Sequence, residues 1–575
     1  MGAILNPSSV TLPPPNLIGA PARYSRWRLM QAESVLAAAD SPKRFIIQGA
    51  PTGFGKSLAY VSQAILTDAR CAILTSTKAL QSQLLSDFAE SGLIEIRGLN
   101  SYECVEGIPT GKFGDVRREG YRADRGLPMM CDEAPCQAGA FCPKREGGCS
   151  YYDAYRKSTM AGSRLIVTNY AYWMSIHKFG EGLGVFDLLV LDEAHNAVDE
   201  LGGFVGTELR PGEVERVLAG SALAPGADQA DWKSWAGYWR VEAAHAIDTI
   251  RASIKESERT GGERTGERLS YGALRRARDL KKLQHKLDTI AGMSGDWIID
   301  YTEDNRGRPT TRFEPVWPGE YAESVLFRGI PKVVMVSATV RPETAQKLNI
   351  DPANVDFKEY PSSIPVANRP IVFTPAAHMN RNSAGAGKRE WSTRMDQIIA
   401  RRLDRKGIIH TVSYSRAREV YAGSEYKEML LIHDSTNTQE AIERFKKSTK
   451  PLVLVSPVLD TGLDFLYELA EYQIIAKVPF PVTVDKIVKA RMERDKGYRD
   501  YVTIIKLVQM VGRICRADDD RGETLIVDSD FGWWFNKVRH HCPRWFVEAV
   551  RYEQVLGIPL PKLVPRSVGG AGVPR

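Results

Sequence analysis

Phe45-Ile46-Ile47-Gln48-Gly49-Ala50-Pro51-Thr52-Gly53-Phe54-Gly55-Lys56-Ser57 is the stretch that decides the fold. Its apolar opening, Phe45-Ile46-Ile47, reads as a buried strand. A Gly-rich turn follows from Ala50 to Gly55, and a helix starts at Lys56. A strand that passes through such a turn into a helix lets backbone N–H groups converge on phosphate oxygens, and the helix N-terminus adds favourable partial charge. Gly53 and Gly55 allow the close approach. Lys56 is placed to contact β- and γ-phosphates and Ser57 to ligate Mg²⁺, so ATP with Mg²⁺ is the expected ligand. Ala50 stands where the motif ordinarily begins with glycine. The bland reading, a structural Gly-rich turn, loses ground because strand and helix are both in place.

The pattern repeats outward. Cys71-Ala72-Ile73-Leu74-Thr75 reads as a second strand and Ala79 to Phe88 as a second helix, while helical patterning before the turn covers Trp27 to Ala39. Strands return at Arg164-Leu165-Ile166-Val167-Thr168, at Phe186 to Leu191, and at Lys332-Val333-Val334-Met335-Val336. Strand–helix alternation of this kind indicates a parallel α/β sheet. The strand ending at Leu191 runs straight into Asp192-Glu193-Ala194-His195. A carboxylate at a strand's end, facing the phosphate loop, can hold Mg²⁺ while its neighbour orients the attacking water. Those roles go to Asp192 and Glu193.

Two stretches interrupt this sheet. Tyr102 to Ser150 is rich in Gly, Pro, Arg and Cys and has no sustained periodicity. From about Val198 to Tyr321, Trp232, Trp235, Trp239, Ala243, Ile247, Ile250 and Ile254 step by three and four, an amphipathic helix. Ala273, Ala277, Leu280, Leu283, Leu287 and Ile290 form a second stripe, and the charged loop Ser257 to Ser270 joins the two, which suggests an antiparallel helical hairpin. A second α/β series follows the segment Asn380 to Lys388, with strands at Gly407 to Val412, Leu452 to Val455, Tyr472 to Ala476 and Glu523 to Val527. Within it, Gln509-Met510-Val511-Gly512-Arg513-Ile514-Cys515-Arg516 places two arginines three apart, expected on one helix face. An arginine reaching a γ-phosphate across a cleft neutralises charge in the transition state. In isolation such a pair is usually a solvated face.

Composition sets the bounds. A chain of 575 residues exceeds a single core, and about three or four domains is the reasonable expectation. Hydrophobic residues at 43% and charged residues at 26% are those of a globular protein. No stretch reaches the roughly 20 apolar residues of a membrane span, and the N-terminus lacks a secretory pattern, so a cytoplasmic location and no membrane partner are expected. The net charge of +7 permits a polyanionic partner without requiring one. Of eight cysteines, five (Cys104, Cys131, Cys136, Cys142 and Cys149) lie in one short stretch. In a large cytoplasmic protein such clustering points to metal ligation rather than disulfides.

These segments together resemble the motifs of superfamily 2 helicases, and the set is most similar to the XPD/DinG family. Arg28-Leu29-Met30-Gln31 resembles that family's adenine-reading element, which makes Gln31 the base contact. Thr75-Ser76-Thr77 with Leu80 and Gln81 resembles motif Ia, a strand contact. Ser337-Ala338-Thr339 resembles motif III, which couples hydrolysis to movement. Ser456-Pro457 through Gly462-Leu463-Asp464 resembles motif V, and Lys477-Val478-Pro479-Phe480-Pro481 resembles the segment after it. The resemblance puts Asp464 and Gln509 at the nucleotide and makes Arg513 and Arg516 the trans-cleft cations. It spans Tyr24 to Trp545 in the family's order.

The family carries an iron–sulfur domain in the first interruption and a helical Arch in the second. Arg97 to Cys104 resembles the approach to the first cluster cysteine and Cys149-Ser150-Tyr151-Tyr152 the exit from the last. A [4Fe–4S] cluster takes one thiolate per iron, about four in all. With Cys104 and Cys149 anchored by resemblance, Cys136 and Cys142 are the choice for the other places, with five and six intervening residues. Spacing does not decide against Cys131, and zinc held by thiolates is the chemical rival.

The expected architecture is α/β, two RecA-like parallel-sheet lobes with a Cys-rich iron–sulfur insertion and a helical Arch insertion in the first. The expected boundaries are a leader 1–21, lobe 1 in three pieces (22–103, 150–198 and 321–368), the cluster domain 104–149, the Arch 199–320 and lobe 2 369–575. The resemblance implies an ATP-dependent DNA helicase, a monomer moving 5′→3′ on single-stranded DNA and opening forked duplex or R-loops, in a bacterial or phage-infected cell. Two alternatives are a translocase that hydrolyses ATP without separating strands and a nucleic-acid binding protein with a decayed motor. Intact Lys56, Asp192, Glu193, Arg513 and Arg516 argue against the second. Tyr170, Tyr172 and Trp173 are candidate base-stacking platforms. Arg275, Arg276, Lys281 and Lys282 are candidate strand contacts. The tryptophan stripe reads as helix packing.

Overall fold

The computed structural model describes residues 12–104, 129–138, 141–218, 225–226, 228–259, 271–304, 307–379, 385–458, 465 and 467–553. In chain order the strands are β1 (Phe45–Gly49), β2 (Cys71–Thr75), β3 (Leu93–Glu95), β4 (Leu165–Asn169), β5 (Leu188–Asp192) and β6 (Thr207–Leu209). Next come β7 (Trp297–Glu303), β8 (Pro309–Pro315), β9 (Lys332–Ser337), β10 (Val355–Glu359), β11 (Ile371–Phe373) and β12 (Gly407–His410). The last are β13 (Leu430–Ile432), β14 (Val453–Ser456), β15 (Tyr472–Ile475), β16 (Glu523–Ile526) and β17 (Val550–Tyr552).

Among the described residues these strands form three sheets. Lobe 1 is a seven-stranded sheet in the order β10-β1-β9-β5-β2-β4-β3, and lobe 2 a seven-stranded sheet in the order β13-β14-β12-β15-β16-β11-β17. Neighbours in both run parallel. Parallel strands are covered by helices on both faces, which is why β1, β2 and β5 are buried along their whole length rather than alternating. The β1–β9 and β5–β9 pairings set the phosphate loop, the end of β5 and Ser337 side by side at the carboxyl ends of three interior strands.

The Arch is partly β, which the helical reading of 199–320 did not anticipate. Its helices Gln229–Arg259 and Tyr271–Ala291 pack as the expected hairpin, but β6, β8 and β7 form a three-stranded antiparallel sheet at its root. The loop 260–270 and residues 1–11 of the leader lie outside the described residues. Trp232 is 1% exposed and meets Phe313 of β8 edge-on at 4.9 Å, so the tryptophan stripe packs the hairpin onto that sheet. The helix expected from Trp27 begins only at Gln31, because Met30 turns the backbone left-handed (φ 61°). No helix of the described residues is long and apolar enough to cross a membrane.

Trp232→Ala empties the joint between hairpin and root sheet. A loss of about 3–5 kcal/mol, confined to the Arch, is expected, visible as faster proteolysis of 199–320 with ATP hydrolysis retained.

Candidate active site between the lobes

The phosphate loop is as the sequence predicts, with Gly53 (φ 80°) and Gly55 (φ 78°) both left-handed and the helix Lys56–Leu66 starting directly after them. A Cβ at Gly53 would stand 2.9 Å from the Arg516 carbonyl of lobe 2, and one at Gly55 would stand 2.3 Å from Gln31 Nε2. Glycine is therefore required by space as well as by φ. Gln31 is buried. Its amide accepts from Arg28 N–H (2.7 Å) and donates to the Gly55 carbonyl (2.9 Å), while the Arg28 guanidinium donates to the Gly53 carbonyl. Here Gln31 braces the loop from behind rather than presenting a free edge to a base.

Asp192 and Glu193 close β5. Glu193 takes a left-handed φ of 48°, a costly conformation for a residue with a side chain. Lys56 Nζ lies 3.4 Å from its Oε1. Burial raises the Glu193 pKa, but Lys56, His195, Arg516 and Arg513 outweigh it and hold the carboxyl below its usual range. Asp192 moves the other way, raised by burial and by the Glu193 charge against the pull of Lys56. A bound Mg²⁺ beside Asp192 would reverse that rise. Ser57 sits on the first helical turn, and Tyr60 of the next turn donates to Asp192 (3.4 Å).

Ser337 donates to Glu193 (3.2 Å) and shares a hydrogen bond of 2.6 Å with His195 Nδ1. Since the single Ser337 proton goes to Glu193, His195 Nδ1 carries the proton of that second bond. His195 Nε2 is then the acceptor for the Gln509 amide of lobe 2. Burial first, with Lys56 and Arg513, pushes His195 down to about 4, so the ring is neutral as this chain of bonds needs. Asn196 donates to Ser76 (3.1 Å), joining the same segment to the motif Ia-like turn, where Thr77 caps the next helix.

Arg513 and Arg516 are brought to this site, as their charge on Glu193 shows, but not on a helix face. The helix Tyr498–Val511 stops at Gly512, and Cys515 turns left-handed (φ 60°), so both arginines project from a turn. That turn is braced by Asp520, which accepts from Arg516 N–H (3.1 Å). Gly462, Leu463 and Asp464 lie outside the described residues. The Gln509–His195 contact is the feature the sequence did not indicate, since the residues are 314 positions apart.

Two further features flank the site. The five clustered cysteines line one small cavity with Leu99, Ala134, Gln137, Lys144 and Tyr152. Cys131, outside the ligand set chosen from spacing, is buried, with its sulfur 4.0 Å from that of Cys149. No set of three or more His, Cys, Asp or Glu side chains among the described residues converges on a point that would hold a single metal ion. The thiols ring a space instead. Between lobe 1, this segment and the Arch runs a cavity of about 1090 Å³, lined by Ser76, Lys78, Tyr155, Tyr172, Lys281 and His285 among others. Tyr170 (0% exposed), Trp173 (1%) and Tyr172 (8%) are core residues rather than open stacking platforms. Trp173 donates its indole N–H to the Leu326 carbonyl, and Tyr172 shares a 3.0 Å hydroxyl bond with Tyr151.

A phosphate loop on one lobe, arginines on the other and a histidine–glutamine contact between them define a two-lobed nucleotide-driven motor. Residues 399–549 match the helicase C-terminal domain family. The chain is 21% identical to the ATP-dependent DNA helicase YoaA of Haemophilus influenzae over 87% of its own length and 90% of that protein. It is 23% identical over 142 residues, 22% of this chain and 18% of the relative, to the XPD/RAD3 helicase subunit of general transcription and DNA repair factor IIH from Saccharomyces cerevisiae. Its fold is similar to that of S. tokodaii Xpd4, with a TM-score of 0.56, 15% identity, and coverage of 91% of this chain and 100% of that one. These likenesses are to DNA helicases of the YoaA and XPD/RAD3 kind in sequence and to Xpd4 in fold.

Lys56→Ala is expected to abolish ATP hydrolysis. Glu193→Gln should still bind ATP while turnover falls about 10²–10⁴-fold, the contribution of a positioned base. Arg516→Ala should lower turnover by on the order of 10³-fold with nucleotide binding retained. Nucleotide-binding fluorescence beside phosphate release separates the three.

Proposed function

We propose that the chain is an ATP-dependent DNA helicase that moves 5′→3′ on single-stranded DNA and opens forked duplexes or R-loops as a monomer. The observation that carries this reading is the continuous set of bonds from Lys56 and Glu193 through Ser337 and His195 to Gln509 of lobe 2. A γ-phosphate arriving at Lys56 competes with Glu193 for that lysine, so nucleotide binding is felt by the contact that joins the lobes. Asn196 and Ser76 extend the same set towards the large cavity, where Lys78 and Lys281 supply cations for a phosphate backbone. Asp192 and Ser57 would hold Mg²⁺, Glu193 would orient the attacking water, and Arg513 and Arg516 would offset charge on the transferred phosphoryl group. A nucleotide role for Asp464 is part of this reading, as is adenine contact by Gln31 through the second lone pair and second N–H that its bonds to Arg28 and Gly55 leave.

The cysteine cavity fits an iron–sulfur cluster by its donor set, since every metal-binding side chain on its wall is a thiol. The set proposed from sequence is Cys104, Cys136, Cys142 and Cys149, and the seat of Cys131 beside Cys149 gives it an equal geometric claim. Bound there, a [4Fe–4S] cluster would supply covalent cross-links to a segment whose described residues form only short helical turns.

Matched 5′-tailed and 3′-tailed duplexes with ATP test the function. Displacement of the 5′-tailed substrate alone is expected; displacement only from a 3′ tail reverses the polarity, and none from either with intact ATP hydrolysis leaves a translocase. Anaerobically purified protein should contain about four irons. Serine at each of the five cysteines in turn should strip the iron in four cases and spare it in one, whereas stoichiometric zinc would reject the cluster.

A further inference from the structure

The helix Lys486–Arg494 belongs to lobe 2, between β15 and the helix Tyr498–Val511, yet its side chains end on other domains. Arg491 is 4% exposed. Its Nε donates to the Val316 carbonyl (2.8 Å) and its guanidinium lies 3.5 Å from Glu314, both at the Arch root. On the same side Arg494 pairs with Asp296 (2.6 Å) and Lys486 with Asp300 (2.9 Å).

Arg491 also donates to the Tyr498 hydroxyl of lobe 2 (3.2 Å), and further contacts go to lobe 1, to the two helices that leave the nucleotide site. Asp199 lies on the helix Ala197–Val205, whose apolar side packs in the lobe 1 core, so lobe 1 runs past the boundary at 198 expected from sequence; its carboxylate accepts from Arg491 (3.1 Å). On the helix Pro342–Lys347, which follows Ser337 to Thr339, Lys347 pairs with Asp495 (2.6 Å) and Thr344 shares a 3.0 Å bond with Tyr501.

We infer that the helix Lys486–Arg494 is the joint through which nucleotide-driven movement of the lobes reaches the Arch, with Arg491 as its positioning residue. This rests on the motor reading above and adds where the motion goes. A buried guanidinium stripped of its partners is costly, so the helix stays in register with the Arch root and the two move as one body. The Asp199 carboxylate is 75% exposed, so that link opens at little cost, whereas Lys347 is only 10% exposed in its pair with Asp495. The joint is therefore held from both sides, by Arg491 at the Arch root and by Lys347 on lobe 1. Along the second Arch helix, Arg278 pairs with Glu133 of the Cys-rich segment (3.5 Å), and His285 stacks on Phe179 of lobe 1 at 4.0 Å beside the large cavity. Tilting the root displaces that wall.

The test uses the full chain. Arg491→Ala should keep strand-stimulated ATP turnover near the wild-type rate while strand displacement falls about ten-fold, the scale of a lost coupling contact. Arg491→Lys, which keeps the charge and loses the fork, should fall between. Parallel loss of both activities, or of neither, overturns the inference. Should Arg491→Ala fail to fold, the exposed pair serves: Arg494→Asp should uncouple and Arg494→Asp with Asp296→Arg should restore coupling, and absence of that rescue is contrary. If the wild type displaces no strand, the helicase reading has failed, and a separate readout still decides the joint. Dyes at Tyr238 of the Arch and Met160 of lobe 1, both 61% exposed, should change energy transfer when a non-hydrolysable ATP analogue binds wild type and not Arg491→Ala. An unchanged distance in wild type, or the same change in the variant, refutes it.

Discussion

The site between the lobes is organised around one half-buried carboxylate. Glu193 sits in a left-handed turn at the end of β5, next to the second carboxylate of Asp192, where two negative charges could not both persist without nearby cations. Lys56 comes from the phosphate loop, and Arg513 and Arg516 from one turn of the other lobe. His195, on the same turn as Glu193, is neutral and is joined to it through Ser337. The two-lobed architecture is the means of bringing cations from two sheets to one carboxylate, and a nucleotide enters by competing for them.

The competition explains why the site spans a cleft. Lys56 pairs with Glu193 directly. On the proposed function a phosphate group between them would redistribute the charge, and the neutral His195, bonded to Ser337 on one side and Gln509 on the other, would carry the change into lobe 2. Neutrality matters, because a protonated His195 would have no lone pair for the glutamine amide. Its depressed pKa, caused by burial and the surrounding cations, is thus part of the coupling.

The parts legible in the sequence are those whose chemistry is local. A strand, two glycines with positive φ and a lysine opening a helix are contiguous, as are β5 and its acidic end, and the helical stripes of the Arch announce themselves by period. What escaped was set by tertiary contact. Gln509 and His195 meet only after both sheets have formed. Of the Arch-root strands, Thr207–Leu209 is too short to show a period, and Pro309–Pro315 alternates in burial only from Thr311 to Pro315, between prolines that read as loop. Arg513 and Arg516 left the helix expected of them because Gly512 ends it and Cys515 turns back. Tyr170 and Trp173 share a spacing that suits a stacking surface and a core equally, and burial chose the core. Cys131 was indistinguishable from its neighbours by spacing, and its place beside Cys149 is visible only in three dimensions.

The account's central claim is that the state of the inter-lobe site and the occupancy of the cavity between lobe 1, the Cys-rich segment and the Arch are linked. The most direct measurement is the steady-state ATP hydrolysis rate of the wild-type chain across a titration with single-stranded DNA. A saturable rise in turnover, absent with duplex DNA lacking a tail, is the result this account requires. A rate indifferent to single-stranded DNA would contradict it.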